Sequence, residues 1–408
     1  MRIMFISVNR NQTSIFTSLF DSLSSHSILL ITIERNEATM LEHLKKYQIV
    51  IKSLDSYNEN DVKQIIDLEI PEIVIVGNDF DDVIPQAFVE EANHRCIPTP
   101  LVQDGFIGPF TFSGTENIIS VYSNRLRSLV QRFTLRTIIM LLQHKIQKHL
   151  KRRKILEVYG SRCSVVTAWD GLSKKIFVET GLNPKKIIIT GNPKLDRIDV
   201  WSDTERIIKR MGLDRNKKII LYAPTELTLY PPIVSPKEFV GALSSFLDRC
   251  ENIKNTQIII KPHPTAPSVY FEWIPQRYPN VRVIRDIDIR TLLSLANVVI
   301  TDVSTVAFEA LVFKKPLGIF WPYKKPYPSK YVPAILIDKG VALAMNKPTD
   351  VCSIVESLLF DKKTITRFLK KRDAFLGKYS WKVDGRSAER VGNVILDLVE
   401  RKKHRCSV

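Results

Sequence analysis

The chain alternates short, continuous runs of apolar residues, rich in Ile and Val, with segments that repeat apolar residues at helical spacing. Arg290 to Ala296 and Val306 to Phe313 are examples of the helical segments. Continuous apolar runs of this length are typical of strands buried on both faces of a parallel sheet. The pattern therefore predicts a doubly wound α/β protein. The predicted strands are Ile3 to Val8, Ile28 to Ile33, Ile73 to Val76, Ser164 to Thr167, Lys186 to Thr190, Ile219 to Tyr222, Gln257 to Ile260, Val281 to Ile284, Val298 to Ile300 and Leu317 to Phe320.

The length of 408 residues exceeds what a single hydrophobic core normally organises. A polar, charged stretch between Asp199 and Lys218 separates two strand-rich halves. We therefore expect a first domain over residues 1–200, a second over residues 215–386, and a C-terminal segment, residues 387–408, whose helix packs back onto the domains. Because ligands of open parallel sheets bind at the carboxyl ends of strands, we expect the two sheets to face each other across a cleft.

The positive charge of the chain is concentrated in two places. The sequence has 60 Lys and Arg against 43 Asp and Glu, a net charge of +17. Ten of these cations and no acid lie between Asn124 and Lys154, interleaved with Leu and Ile, and a further basic cluster closes the chain. The basic amphipathic segment 124–154 is predicted to dock on an anionic membrane surface. A core helix with a solvated basic face is the alternative, and nucleic acid is not expected as a partner, because Phe133 is the only aromatic residue there.

The sequence lacks the common signatures of metal-binding, membrane-spanning, secreted and glycine-rich-loop proteins. The five cysteines are spread singly, without metal-ligand spacing, which favours a reduced, cytoplasmic compartment. No apolar run approaches the ~18 residues of a membrane span, and the start of the chain lacks a signal-peptide core. Neither common glycine-rich phosphate fingerprint is present. We expect no cofactor and no metal site, and interpret the Asp79-Phe80-Asp81 motif as a solvated loop.

The second half carries the strongest candidate chemistry. Lys261-Pro262-His263-Pro264 follows a predicted strand and holds a cation and an imidazole where an anion would bind. Ser304 and Thr305 follow another strand and open a helix, where hydroxyls and free amides can cap the helix or hold phosphate. Glu309 lies one helical turn further on and could accept from sugar hydroxyls. The alternatives are an exposed turn at the first segment and plain capping at the second.

Two further turns end strands in a similar way. Gly191-Asn192-Pro193 follows a strand near the domain boundary, where it is a candidate wall of the cleft, although its composition requires no more than a sharp turn. Tyr222-Ala223-Pro224-Thr225 follows the first strand of the second half. Asp104 precedes a glycine after an apolar strand end, so it is either a general base for an acceptor hydroxyl or part of an Asp-Gly turn.

Taken as a set, these motifs resemble those of the CDP-glycerol glycerophosphotransferases of teichoic-acid synthesis and related capsule glycosyltransferases. The resemblance extends from about Val158 to Leu396 and is carried by Lys185 to Ile198, Tyr222 to Thr225, Lys261 to Pro264, Thr301 to Thr305, Phe308 to Leu311, Lys315-Pro316 and Asp384 to Arg390. It implies a GT-B fold, in which the second domain binds a nucleotide-activated donor. The residues predicted to bind the donor are Gly191, Asn192, Pro193, Thr225, Lys261, His263, Ser304, Thr305 and Glu309.

The resemblance also implies individual roles. His263 and the Ser304-Thr305 turn would hold the pyrophosphate of the donor, with Lys261 helping to neutralise it, and Glu309 would contact the ribose or the transferred group. Asp104 and His263 are the catalytic candidates. The first half departs from the family pattern, because it has no His-Gly-Thr-Pro run, and Leu101 to Phe106 is more like a segment of capsule Kdo transferases. The donor therefore remains open between CDP-glycerol, CMP-Kdo and another nucleotide sugar.

These expectations combine into one functional hypothesis. The sequence predicts a cytoplasmic, metal-independent transferase, peripheral on the inner face of the membrane, that adds to a lipid-linked or polymeric acceptor and so builds a surface polymer or glycolipid. A UDP-GlcNAc 2-epimerase-like enzyme and a non-catalytic nucleotide-binding assembly protein are the alternatives. The hypothesis requires the segments around positions 261 and 301 to lie together in space.

Overall fold

The computed structural model describes residues 1–32, 49–54, 57, 62–79, 83–105, 158–196, 204–228, 233–324 and 334–406. These residues form two compact units. The first unit contains the described residues of Met1–Phe106, Phe112–Asp196 and Ser380–Val408, and the second contains those of Arg197–Tyr379. Each unit is built around one parallel sheet, so the α/β class predicted from the sequence is confirmed.

The first unit contains a seven-stranded parallel sheet in the order β3-β2-β1-β4-β5-β6-β7. The strands are β1 (Arg2–Ser7), β2 (Ser27–Thr32), β3 (Ile49–Ser53), β4 (Ile73–Val76), β5 (Pro100–Val102), β6 (Val165–Ala168) and β7 (Ile187–Ile189). Strand β1 is central, and its Ile3 pairs with Ile28 on one side and Ile73 on the other. From β1 the chain continues to β2 and β3 on one side of the sheet, whereas from β4 it continues to β5 on the other side. The strand order therefore reverses between β1 and β4.

The second unit contains a six-stranded parallel sheet in the order β10-β9-β8-β11-β12-β13. Its strands are β8 (Lys218–Ala223), β9 (Thr256–Ile260), β10 (Val281–Val283), β11 (Val298–Thr301), β12 (Leu317–Phe320) and β13 (Leu343–Met345). Tyr222, Phe246 and Phe320 pack together in its core, with ring centroids 4.4 and 5.4 Å apart in the two closer pairs. The strand order reverses between β8 and β11.

Helices cover both sheets. In chain order they are α1 (Arg10–Leu19), α2 (Val62–Glu69), α3 (Val83–His94), α4 (Gly171–Glu179), α5 (Thr204–Arg210), α6 (Pro236–Cys250), α7 (Ile274–Arg277), α8 (Ile289–Leu295), α9 (Val306–Val312), α10 (Ala334–Asp338), α11 (Val351–Phe360), α12 (Lys362–Lys378) and α13 (Ser387–Cys406). The C-terminal helix α13 packs on the core of the first unit through Val391, Ile395 and Val399.

The predicted strands agree closely with the observed ones. Each of the predicted apolar runs coincides with a strand of the structure to within one or two residues. Strands β3, β5 and β13 are not among the predicted strands; β5, Pro-Leu-Val, is only three residues long and begins with proline. The sequence of β3, Ile-Val-Ile-Lys-Ser, lies at a half-exposed sheet edge, and that of β13, Leu-Ala-Met, contains no β-branched residue, so neither gives the continuous pattern of a buried strand.

Candidate functional site

The carboxyl ends of β9, β8 and β11 lie side by side at one edge of the second sheet. Because β9 and β11 both pair in parallel with β8, Ile260 and Thr301 stand on either side of the end of β8. Two strand spacings of about 5 Å separate them. The segments around positions 261 and 301 therefore lie at the same sheet edge, next to the gap where the strand order reverses.

Asp302 ties the loops of this edge together. Its two carboxylate oxygens accept hydrogen bonds of 3.1 and 3.0 Å from the backbone N–H of Thr225, and the Thr301 hydroxyl donates to the carbonyl of Ala223 at 2.6 Å. Asp302 is 2% exposed, and this burial raises its pKa to about 6, although the bonds from Thr225 act in the opposite direction. The carboxyl of Asp302 thus fixes the loop after β8 to the loop after β11.

Ser304 and Thr305 lead into α9. The Ser304 hydroxyl accepts a hydrogen bond of 3.2 Å from the backbone N–H of Val306, so it acts as the capping oxygen at the start of the helix. Thr305 precedes the first residue of α9 and has helical backbone angles. Both side chains are partly exposed at the sheet edge. The two hydroxyls predicted to bind phosphate are therefore accessible, and one of them also caps the helix.

The Lys261 ammonium contacts the protein backbone. It donates hydrogen bonds of 2.7 Å each to the carbonyl oxygens of Arg285 and Ile287, in the loop that follows β10. Burial lowers the pKa of Lys261, while the nearby carboxylates of Asp288 and Asp286 act to raise it. In this structure Lys261 therefore holds the loop after β10 against the end of β9.

The imidazole of His263 is oriented by Thr265. Nδ1 accepts a hydrogen bond of 3.3 Å from the backbone N–H of Thr265 and lies 2.8 Å from the Thr265 hydroxyl. His263 is exposed, yet desolvation by the surrounding protein lowers its pKa. The lowered pKa favours the neutral form of the ring. Because Nδ1 accepts from the backbone, the ring proton is on Nε2, which can donate to an anion.

Glu309 lies on α9 and is 8% exposed. The neighbouring helix α8 carries Arg290, whose guanidinium donates to both carboxylate oxygens of Asp288 at 2.8 and 3.2 Å. Burial acts to lower the pKa of Arg290, but the hydrogen bonds and charge of Asp288, together with the charge of Glu309, raise it overall. Asp288 also caps α8 by accepting from the backbone N–H of Arg290 at 2.8 Å. Glu309 thus belongs to a charged group that sequence reasoning did not identify.

In the first unit, Asp104 follows β5, two strands from the end of β1. The Gln12 side-chain amide donates to Oδ2 of Asp104 at 2.8 Å, and the Asn11 side chain donates to the Asp104 carbonyl oxygen. Gln12 is completely buried, and its own Oε1 accepts from the backbone N–H of Val8 at 3.0 Å. A Cβ at Gly77 would come within 2.7 Å of Gln12. The absence of a side chain at Gly77 thus leaves space for the buried amide of Gln12, which binds the Asp104 carboxylate.

The Gly191-Asn192-Pro193 turn lies in the first unit and contacts the start of α13. Gly191 has a φ of +94°, and a Cβ there would lie 2.2 Å from the Ser387 hydroxyl. Asn192 caps the next helical turn by accepting from the backbone N–H of Lys194 at 3.1 Å. Asp196, three residues after Pro193, accepts from the backbone N–H groups of Ser387 and Ala388. The turn therefore anchors the C-terminal helix.

The interpretation of the Asp79 motif as a solvated loop was wrong for Asp79 itself. Asp79 is fully buried, and its carboxylate accepts hydrogen bonds from the backbone N–H groups of Gly160 at 2.7 Å and Arg162 at 3.3 Å. These partners follow more than 80 positions later, which is why the local run of acids gave no sign of them. Residues 80–82 and the basic segment 124–154, predicted to dock on a membrane, lie outside the described residues.

The predicted site residues fall into two groups. Thr225, Lys261, His263, Ser304, Thr305 and Glu309 all belong to the second unit, where the first five follow adjoining strand ends. Asp104, Gly191, Asn192 and Pro193 belong to the first unit. The residues that sequence reasoning missed are those that support others, namely Gln12, Asp288, Arg290 and Asp302.

A comparison with protein families bears on the choice between a transferase and an epimerase. A family model described as CDP-Glycerol:Poly(glycerophosphate) glycerophosphotransferase matches residues 141–397, well over half of the chain. The chain belongs to this family of glycerophosphotransferases. The family resemblance of the sequence motifs is thereby confirmed, and the family favours the predicted transferase over an epimerase. The two sheets are those expected for the predicted GT-B class.

One curated relative of this family member is a glucosyltransferase. A curated processive diacylglycerol beta-glucosyltransferase from Bacillus licheniformis is 22% identical over 260 residues, which are 62% of this chain and 61% of the relative. The chain thus spans about three fifths of the length of that relative. The predicted enzyme class, a glycerophosphotransferase or glycosyltransferase, is the class of the family and of this relative.

Solved structures of similar fold include enzymes that act on different substrates. The wall teichoic acid polymerase TagF matches with a TM-score of 0.64 at 14% identity, covering 98% of this chain and 90% of that one. The UDP-GlcNAc 2-epimerase from Neisseria meningitidis bound to UDP-GlcNAc matches with a TM-score of 0.63 at 13% identity, covering 97% and 100%. At such identities the likeness concerns the fold. No helix among the described residues has the length and apolar character needed to cross a membrane.

Proposed function

We propose that this member of the family transfers a group from a nucleotide-activated donor to an acceptor hydroxyl of a cell-surface polymer or glycolipid. The observation that carries the proposal is the convergence of His263, Thr225, Ser304 and Thr305 at the carboxyl edge of the second sheet, beside the point where the strand order reverses. Open parallel sheets bind their ligands at such points. Membership of the family supports CDP-glycerol as the donor.

In this proposal His263 and the start of α9 hold the donor pyrophosphate. The neutral imidazole donates from Nε2, since Thr265 occupies Nδ1. The hydroxyls and backbone N–H groups of Ser304 and Thr305 supply further donors. Fixed donors of this kind stabilise the charge that develops on the leaving nucleotide. The Lys261 ammonium donates to two backbone carbonyls, so its proposed contribution is its positive charge rather than a hydrogen bond to the phosphates.

Glu309 is proposed to accept hydrogen bonds from the ribose hydroxyls of the donor, and Asp104 is proposed to act as the general base.

For CDP-glycerol, the acceptor oxygen forms a bond to the phosphorus that bears glycerol. The bond from that phosphorus to the bridging oxygen breaks, CMP leaves, and the acceptor proton goes to Asp104. For a nucleotide sugar, attack falls on the anomeric carbon and the nucleoside phosphate leaves. Donor contacts from Gly191, Asn192 and Pro193 stay a prediction.

We further propose that the enzyme works from the cytoplasm on the inner face of the membrane. This proposal is supported by the cations and apolar residues that alternate between Asn124 and Lys154. The acceptor would then be a lipid-linked or polymeric chain growing at that surface. Sedimentation with vesicles tests the point, since binding that is equal for neutral and anionic vesicles would contradict electrostatic docking.

The donor and the reaction can be tested together. A thermal-shift series with CDP-glycerol, CMP-Kdo, UDP-sugars and GDP-sugars identifies the nucleotide, because a ligand that binds only the folded state raises the melting temperature. Release of the nucleotide product is then followed with and without Asp104→Asn, whose amide oxygen can still accept from Gln12. We expect turnover to fall about 10²- to 10⁴-fold, with unchanged donor affinity.

The same assays distinguish the transferase from a nucleotide-binding protein and from an epimerase. If the chain only binds nucleotides, wild type shows no turnover and Asp104→Asn changes nothing. If it is an epimerase, UDP-GlcNAc is converted without any acceptor. Either result would contradict the transferase proposal.

A further inference from the structure

Helix α12 presents a line of positive charge to solvent. Its sequence contains seven lysines and arginines and a single acid, Asp373, which pairs with the buried Arg372. At about 100° per residue, five exposed cations fall within an arc of about 100° on one side of the helix. These are Lys363, Arg367, Lys370, Lys371 and Lys378, called here the α12 stripe. The stripe is about 22 Å long at 1.5 Å per residue.

The opposite side of α12 is fixed to the helix that carries Glu309. Phe375 packs against Phe308 of α9, with ring centroids 6.4 Å apart. The buried guanidinium of Arg372 donates to the carbonyl oxygen of Leu311, near the end of α9, at 2.5 Å. The α12 stripe is therefore mounted on the same unit as the candidate donor site and is held by contacts with α9.

The stripe opposes the stability of its own helix. Lys363 and Arg367 are four residues apart, as are Arg367 and Lys371, and like charges at this spacing repel each other. Lys363 also lies in the first helical turn, where the helix dipole disfavours cations. Asp361, which caps α12, attracts Lys363 electrostatically, but within the described part of the chain no carboxylate forms an ion pair with Lys363, Arg367 or Lys370. The repulsion between these cations lowers the stability of α12, and their row suits an anionic partner.

We propose that the α12 stripe binds the growing polyanionic polymer, a linear chain with one phosphate in each repeat. From Lys363 to Lys371 the cations recur every three or four residues, about 5–6 Å apart, and Lys378 follows about two turns further on. Such a row matches a linear polyanion better than a compact ligand. The identity of the polymer rests on the proposed function, since transfer of glycerol phosphate would produce such a chain. Retention of this chain beside the enzyme would favour repeated additions.

The composition of the exposed arc argues against a membrane at this surface. Interfacial helices insert apolar side chains beside their cations. In α12 the large apolar residues Phe368, Phe375 and Leu376 are buried in the unit, and the exposed arc adds only Ala374 to the cations. The stripe can therefore attract an anionic surface but has no apolar side chain to insert into it.

The test compares the full-length protein with the variant Lys363→Gln/Arg367→Gln/Lys370→Gln. Binding to long poly(glycerol phosphate) is measured at several salt concentrations without any donor. We expect the dissociation constant to rise at least tenfold, and the slope of its logarithm against that of salt to fall by about 2, because three cation–phosphate contacts are lost. The melting temperature should stay the same or rise. The matched control, Lys209→Gln/Lys237→Gln/Lys254→Gln, removes three exposed lysines elsewhere in the unit and should bind as wild type.

Two further measurements separate this proposal from the proposed reaction. Nucleotide release with a short acceptor should be unchanged in the stripe variant, whereas products from long acceptors should become shorter. Because polymer binding is measured without turnover, it can succeed even if the chain transfers another group. Equal loss of polymer binding in stripe and control variants would overturn the proposal. So would a stripe variant that loses binding to anionic vesicles while it keeps binding to the polymer.

Discussion

At the scale of single residues, the candidate site depends on side chains that hold other side chains. Asp288 both caps α8 and accepts from the guanidinium of Arg290 at two oxygens, and the charge of Glu309 acts on the same guanidinium. A guanidinium held in this way presents its remaining donors in a fixed plane. We infer that Arg290 is a positioning residue, which orients the carboxylate that is proposed to contact the ribose.

Replacement of Arg290 by Gln should therefore weaken recognition of the ribose specifically. We expect the affinity for a ribonucleotide to fall about tenfold, which corresponds to about 1.4 kcal/mol. The affinity for the matching 2′,3′-dideoxynucleotide should hardly change, because it offers Glu309 no hydroxyl. Calorimetric titration of both nucleotides measures this ratio, and Arg290→Lys should restore part of it. Arg277→Gln, which removes an exposed ion pair with Asp248, is the control. An equal loss for both nucleotides would indicate a structural role only.

The sequence could predict the residues at strand ends but not their partners. His263, Ser304 and Thr305 follow apolar runs, so their place at a sheet edge could be derived from local pattern alone. Asp104 and Gln12 lie 92 positions apart, and no local signal links them. The Lys261 ammonium was expected to neutralise phosphate, yet its contacts with Arg285 and Ile287 depend on how a distant loop folds back.

At the scale of elements, the start of α13 is fixed by the turn after β7. Asp196 accepts from the first backbone N–H groups of α13, and Arg390 donates to the carbonyl oxygen of Thr190 at 2.7 Å. Sequence periodicity predicted the helix from Ser387 and its return to the domains. It could not show that the Gly191-Asn192-Pro193 turn receives it, because this contact joins residues nearly 200 positions apart.

Gly191→Ala should therefore destabilise the first unit. A Cβ would overlap the Ser387 hydroxyl at 2.2 Å, and the φ of +94° is unfavourable for alanine. We expect the free energy of unfolding to fall by about 2–4 kcal/mol, measured by urea denaturation. Gly241→Ala, in α6, where the added Cβ would meet no atom within 4 Å beyond the adjoining helix backbone, should instead be stabilising by about 0.5–1 kcal/mol. Wild-type stability of Gly191→Ala would show that the turn yields without cost.

At the scale of the whole molecule, each unit contains a buried acid with a raised pKa. Asp170 of the first unit and Asp302 of the second are almost inaccessible to solvent, and burial raises the pKa of each to about 6, from 3.8. Between pH 4 and 6 the folded protein binds protons at these carboxyls that the unfolded chain has released. Stability contributed by these groups is therefore greatest below pH 4 and is lost as the pH rises through 6.

The two units should respond to this titration through different residues. Each carboxyl accounts for up to about 3 kcal/mol between pH 4 and pH 7, so the stability of its Asn variant should respond less to pH than that of wild type. The lowered pKa of His26 and that of His263 act in the opposite sense below pH 6.5, and comparison with the Asn variants isolates the carboxyl contribution. In calorimetric scans from pH 5 to 8, Asp170→Asn should alter the transition of the first unit and Asp302→Asn that of the second. Identical pH profiles for wild type and both variants would show that neither carboxyl titrates in this range.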